Sequence, residues 1–362
     1  MEFSLFALPT FFRETDGPVG PYYRRLIDFL VSAEELGYDG IWANEHHFHP
    51  YGGLVPSPAV FLSAIAQRTK RVRLGTSVVV LPLHQPLEIA EQLAMVDNMS
   101  GGRIELGVGR GFIPYDYHTM GIPMAEGQER TLESLEVILK AWSGKPFSHH
   151  GKHFKYDNVE VWPPPEQRPH PPVWLACSNN PESFAWTGTE GYNLLTVSSL
   201  RPMEWLAGMV QHYRDAWNAA GRDPAGYRYA THFQVVVDQD RRRAHQIATE
   251  ALQRYFGLLE QSIKLFNGGA GRPPMPDPME NFSIERWVDE GRILCGTPDD
   301  VIRVLKRAEK ELGITGVDGA FYFGGMPFEA AERSLRLFAE EVIPRMRAAG
   351  SPTTQHPITA RS

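Results

Sequence analysis

The sequence predicts an α/β protein closed into a parallel (βα)8 barrel of the TIM type. Three observations carry that prediction. Eight short apolar stretches alternate strictly with longer amphipathic ones from one end of the chain to the other, and strict alternation means a parallel sheet. The chain has 362 residues, more than the roughly 250 of a bare barrel, so one closed domain with two insertions accounts for it. The competing open, doubly wound sheet carries Gly-x-Gly-x-x-Gly between a strand and a helix. Here the nearest match, Gly107-Val108-Gly109-Arg110-Gly111-Phe112, lacks the third glycine and runs into a long loop.

In chain order, the strands are predicted at 3–8, 40–45, 73–81, 103–108, 173–176, 193–197, 229–237 and 320–323. The first helix, 22–36, places Leu26, Ile27, Leu30, Ala33 and Leu36 at helical spacing, and Gly37 stops it. The second opens on Ser57 as N-cap with Pro58 in its first position and runs to 68. Further helices are predicted at 87–99, 130–142, 181–187, 202–220, 241–259, 298–312 and 327–345. The insertions fall after strand four, at 147–172, and after strand seven, at 257–296. The first reads as a small hairpin over one end of the barrel. The second contains Gly268-Gly269-Ala270-Gly271-Arg272-Pro273-Pro274, which excludes regular structure and has the length of a functional loop. Residues 1–349 form one domain, and 350–362 read as a polar, frayed tail.

Composition narrows the function. With 42% hydrophobic and 22% charged residues and a net charge of -7, the chain reads as a soluble globular protein without a nucleic-acid footprint. The one tight basic run, Arg241 to Arg243, reads as the solvated start of a helix. No apolar run approaches the roughly 20 residues that span a bilayer, and the first residues do not read as a signal peptide. Two cysteines, Cys177 and Cys295, make neither a disulfide framework nor a thiolate metal site, which suits a reducing, cytoplasmic compartment.

The candidate chemistry collects at strand ends, which share one face in a parallel barrel. Strand two runs into Glu45, His46, His47 and His49. Ionisable groups cost several kcal/mol each to bury unpaired, so such a cluster belongs where a strand opens onto a pocket. The adjacent His46 and His47 point to opposite sides of an extended chain, and no His-Glu-x-x-His motif is present, so no metal is expected. His46 instead suits a general acid/base held by Glu45 or another carboxylate. Arg110 stands between two glycines, where a ligand reaches the backbone closely, and its fork suits phosphate. Ser178, Asn179 and Asn180 precede a helix start, a ready anion site. Against this stand plainer readings: Arg110 paired with a local carboxylate such as Asp116, Ser178 acting only as a cap, and Cys177 as a packing residue.

Several of these stretches resemble the bacterial luciferase-like, flavin-dependent monooxygenase family. They are Gly37-Tyr38-Asp39-Gly40-Ile41-Trp42 leading to Glu45-His46-His47-Phe48, then Gly75-Thr76-Ser77-Val78-Val79-Val80-Leu81-Pro82, and Leu93, Asp97 and Ser100-Gly101-Gly102-Arg103. Gly107-Val108-Gly109-Arg110-Gly111 and Gly296-Thr297-Pro298 continue the resemblance, which covers nearly the whole chain in order, and the loop near Gly268 resembles the mobile loop of bacterial luciferase.

The resemblance implies a barrel that uses reduced FMN and O2 to oxygenate a small, largely apolar organic substrate through a flavin peroxide or hydroperoxide. It places the acid/base at His46, beside Glu45, and the flavin phosphate at Arg110, Arg130 and Ser178. It puts a non-proline cis bond between Ser77 and Val78 beneath the flavin ring, with Gly109, Phe112, Ala176 and Asn179 around the cofactor. Phe6, Phe112 and the Gly268 loop are expected to keep water out. A separate flavin reductase is expected to supply reduced FMN, because the chain has no dinucleotide fingerprint, and a homodimer is expected. Two departures stand out: Gly109 replaces a cysteine of luciferase, which argues against light emission and an aldehyde substrate, and Cys177 replaces a glutamate. A deazaflavin-dependent hydride-transfer enzyme and a catalytically silent flavin-binding protein are the alternatives.

Overall fold

The computed structural model describes residues 1–223, 225–266 and 279–349. Eight parallel strands close on themselves: β1 (Glu2–Ala7), β2 (Gly40–Ala43), β3 (Arg73–Thr76), β4 (Ile104–Gly109), β5 (Val173–Ala176), β6 (Asn193–Val197), β7 (Tyr229–Val237) and β8 (Gly316–Ala320). Each pairs with the next, and β8 returns to β1 through Glu2↔Gly316 to Leu5↔Gly319. The predicted closed barrel is therefore present and the open sheet is excluded.

Apart from end residues such as Glu2, Arg73, Ala176, Asn193 and Val197, the strands are buried along their length, which is why they read as continuous apolar runs rather than as alternating ones. At the amino-terminal end of the barrel, Glu105 on β4 accepts from Arg73 Nε at 2.7 Å and Arg228 Nη1 at 3.0 Å. Arg228 Nη2 also bonds Glu2 at 2.7 Å. This ion-pair set, centred on the buried Glu105, ties β1, β3, β4 and β7 at the end opposite the strand tips, where side chains serve stability rather than chemistry.

Three predicted strands need correcting, and two short elements were not predicted. The eighth strand lies at 316–320, not 320–323. Its Gly-Val-Asp-Gly-Ala sequence has weak strand propensity, and the aromatic run Phe321-Tyr322-Phe323 after it is buried as core in the following turn. The third strand ends at Thr76; the chain breaks at Ser77–Val78 and re-pairs with β4 only through Val79 and Val80. The second strand stops at Ala43, so Glu45 belongs to the loop. A further strand, Leu294–Gly296, pairs outside the barrel proper with the end of β7. The loop after Phe112 also contains a short helix, Pro114–Thr119, with no amphipathic period long enough to announce it.

The first insertion forms the expected hairpin, Phe147–His150 against Lys155–Val159. It leans on the helix Gly127–Ala141, where Glu133 accepts from the backbone N–H groups of His153 and Phe154. The chain after it lies across the start of β4, with Gln167 bonded to Asp97 and to the Ile104 carbonyl. Ser57 does precede Pro58 at the start of helix Pro58–Ala66, but its hydroxyl makes no capping bond. The basic run is not simply solvated: Arg241 pairs with Asp300 and Arg243 with Asp238, offsetting cations at a helix N-terminus. Gly268 lies outside the described residues.

Candidate active site

Because the strands are parallel, the segments that follow β2, β3, β4 and β5 emerge at one rim. The β2 loop buries two imidazole–carboxylate clusters there. In the first, His46 Nδ1 lies 3.8 Å from Asp116 Oδ2, and His49 Nε2 lies 3.3 Å from Asp116 Oδ1. His46 is walled by Tyr51, its ring 5.1 Å away, and by Phe112, perpendicular at 5.7 Å. Burial pushes the His46 pKa down, the facing Asp116 carboxylate pulls it back, and burial prevails. Burial acts to raise Asp116, but the two histidines outweigh it and hold the carboxyl below its usual range.

In the second cluster, Glu45 is fully buried and accepts three bonds: from His47 Nε2 at 2.9 Å, His84 Nε2 at 2.7 Å and the Val80 N–H at 3.1 Å. These offset the burial that would raise its pKa and leave it lowered. For His84 burial acts downward, yet the bond to Glu45 wins and its pKa is raised. The imidazole–carboxylate distances of 2.7 and 2.9 Å are hydrogen bonds between the side chains themselves. Of the two expected holders of His46, Glu45 or another carboxylate, the second is found: Asp116 faces His46, and Glu45 ties the β2 loop to the segment after β3.

The floor of the rim is made of small groups. The Ser77–Val78 bond is cis, as the resemblance implied. A Cβ added to Gly109 would lie 2.8 Å from Val78 Cγ2 and 3.6 Å from Ala176 Cβ. Val78, Gly109 and Ala176 therefore converge, and position 109 has no room for the cysteine side chain of luciferase. Ala176 is solvent-exposed although it ends a barrel strand, so the floor is open from above.

Beside the floor, Arg110 is exposed and forms no ion pair among the described residues; Asp116, its suspected partner, is engaged with the histidines. The Arg110 stem lies against Gly127, whose added Cβ would meet Arg110 Cγ at 2.9 Å. Arg130, one turn further along that helix, pairs with Glu126 at 2.8 Å. The Tyr117 hydroxyl donates to the Arg110 carbonyl, and both arginines act electrostatically on that phenol. Ser178 and Asn179 are exposed just past Ala176. The cap of the helix Pro181–Glu190 is Asn180, which accepts from the Glu182 N–H, so Ser178 is not a cap. No hydrogen bond joins Ser178 or Asn179 to Arg110.

Phe6 is buried with its ring 3.9 Å from that of His232. Burial pushes the Cys177 thiol up to about 12, with Thr187 Oγ1 3.4 Å away, which makes it a packing residue. Sequence reasoning missed His49 and Asp116 as partners of His46, and it missed His84. His49 was visible only as part of a histidine run. Asp116 and His84 are 70 and 38 positions from His46, and no local spacing links them.

Comparison with known proteins fits this geometry. The luciferase-like monooxygenase family matches residues 1–316. The chain belongs to that family. It is 30% identical to a 4-hydroxyprotoasukamycin monooxygenase of Streptomyces nodosus subsp. asukaensis over 320 residues, 86% of this chain and 84% of that one. It is 26% identical to the oxygenase component of a flavin-dependent trigonelline monooxygenase of Acinetobacter baylyi, over 89% of each. An F420-dependent glucose-6-phosphate dehydrogenase of Amycolatopsis mediterranei is also 26% identical, over 90% of this chain and 96% of that one. Among solved structures, the monooxygenase RslO1 from Streptomyces bottropensis superimposes with a TM-score of 0.86 at 30% identity, covering 96% of this chain and all of that one. As a member of this family the chain is an oxidoreductase. No helix among the described residues is long and apolar enough to cross a membrane.

Proposed function

We propose that the chain is the oxygenase of a two-component system, which takes reduced FMN from a separate reductase and uses O2 to oxygenate a small, largely apolar organic molecule. The observation that carries the reading is one rim holding a buried histidine, an open floor of Val78, Gly109 and Ala176, and an arginine with no counter-ion among the described residues. The residues fit a flavin mononucleotide. A Cβ at position 109 would crowd Val78 on the floor that a flat ring would need, and an unneutralised guanidinium is what a terminal phosphate would need.

Reduced FMN, when bound, supplies the electrons that activate O2. Arg110 and Ser178 would hold its phosphate, with Arg130, now paired with Glu126, beside them. With Nδ1 of His46 facing Asp116, Nε2 is the nitrogen left to exchange a proton with the reacting groups. Phe112 and Tyr51 keep that imidazole dry, which sustains its lowered pKa and leaves it neutral and basic near pH 7. The reductase is supported by the trigonelline relative, whose name marks it as an oxygenase component. A cytoplasmic location fits the free, buried cysteines. Val60, Met95 and Met99, exposed on the helices Pro58–Ala66 and Pro86–Ser100, supply an apolar surface for a second copy of the chain.

The F420-dependent relative supports a second reading, hydride transfer with a deazaflavin and no oxygen. Mixing the protein separately with reduced FMN and reduced deazaflavin, with and without O2 and across a substrate panel, separates the two. A product one oxygen atom heavier, formed only with FMN and O2, is expected. Turnover with the deazaflavin in the absence of O2 would replace the first reading by the second.

A further inference from the structure

We infer that His49 sets the basicity of His46 by competing with it for one carboxylate, that of Asp116. This deepens the acid/base reading of His46 given above and rests on it only where activity is concerned. The three side chains are buried, with 9%, 0% and 5% exposure for His46, His49 and Asp116. Asp116 presents one oxygen to each imidazole: Oδ2 to His46 at 3.8 Å and Oδ1 to His49 at 3.3 Å. His49 holds the nearer position. Neither of its ring nitrogens has a hydrogen-bond partner, nor has Asp116 Oδ1, so the two face one another across 3.3 Å without an aligned bond. A buried donor and a buried acceptor left facing one another gain most by bonding to each other.

Among the described residues, the elements packed around His46 leave Asp116 as its available counter-charge. Glu45, the other carboxylate within electrostatic reach, spends its oxygens on His47, His84 and the Val80 N–H. The β2 loop presents the Tyr51 phenol, bonded to Tyr255 at 2.7 Å, and the loop after β4 presents the Phe112 ring. A carboxylate that accepts a bond from His49 has less charge to offer a protonated His46. His49 therefore keeps His46 neutral without touching the substrate: it is a tuning residue, acting through Asp116.

Removing His49 should free Asp116 for His46, whereas neutralising Asp116 should strand His46 in an apolar wall. The two substitutions then move the same proton in opposite directions, which a merely structural role would not do. The test is an NMR titration of the imidazoles in the cofactor-free protein, with the His46 resonance assigned by its loss in His46→Gln. His49→Phe is expected to raise the His46 midpoint by about half to one pH unit, the scale of one hydrogen bond. Asp116→Asn is expected to lower it. His49→Gln, whose amide still donates to the carboxylate, should fall between His49→Phe and the wild type. If His49→Phe does not fold, His49→Ala carries the same expectation. A His46 midpoint that stays in place or falls when the ring at 49 is removed overturns the inference. If the midpoints move as expected but the pH profile of kcat does not follow them, the competition stands and the acid/base role of His46 fails.

Discussion

Replacing Glu45 by alanine should destabilise the protein more than any other single change at the rim. The carboxylate is fully buried and accepts from His47, His84 and the Val80 N–H. Its removal leaves three buried donors without an acceptor and strips His84 of its counter-charge. Breaking a buried charge pair by deleting one partner costs about 3–5 kcal/mol. At about 2.1 cal/mol/K of unfolding entropy per residue, that loss lowers Tm by roughly 4–7 °C for a chain of this length. Glu45→Gln keeps the shape and one acceptor and should lose about half as much. The pH dependence adds a second signature. A lowered Glu45 pKa gives stability that is present above the unfolded-state pKa and is lost as pH falls through the folded one. A raised His84 pKa gives stability that is present below the unfolded-state value and is lost as pH rises through the folded one. The wild type should thus owe the network most between the two, and Glu45→Ala should flatten that part of the profile. Thermal unfolding across pH 4 to 9 is the assay. A variant that melts with the wild type, with the same pH profile, would show that the cluster carries no stability and refute the reasoning.

Four other outcomes are expected. His46→Ala should slow oxygenation by about 10²–10⁴-fold while leaving the FMN dissociation constant within a few-fold, and stopped-flow traces beside a flavin titration separate the two effects. Arg110→Ala should weaken FMN binding by about tenfold or more, the cost of a charge-assisted bond, and should spare riboflavin, which lacks the phosphate; an unchanged FMN affinity removes Arg110 from the phosphate site. Cys177→Ala should retain turnover, because a buried thiol pushed up to about 12 supplies no thiolate at neutral pH, and activity lost from a folded variant would contradict this. Val60→Glu should shift a dimer to monomer by light scattering, since Val60 is 71% exposed; dimers of unchanged stability would place the contact elsewhere.

What could be read from the residues alone was whatever depends on neighbours in the chain. Apolar runs of strand length, helical periods and Gly or Pro stops are local, so the alternation that forces a parallel barrel was legible, as were the helix at 298–312 and the hairpin after strand four. Parallel strands deliver their following loops to one rim, so the expectation that residues near 46, 78, 110, 130 and 178 lie at one rim followed from the fold class and the resemblance before any coordinate. The eighth strand was misplaced because Gly-Val-Asp-Gly-Ala is defined by its two barrel neighbours and not by its own propensity.

Pairing among polar side chains was decided only by tertiary structure. Glu45 sits next to His46 in the chain, yet successive side chains of an extended segment diverge. Glu45 is carried to His47, His84 and the segment after β3, while His46 meets Asp116 from the loop after β4. A buried charge is stabilised by whichever partner the packing brings within a few ångströms, and sequence distance has no bearing on that. The chain's own order named the histidine; the closing of the barrel chose its carboxylate.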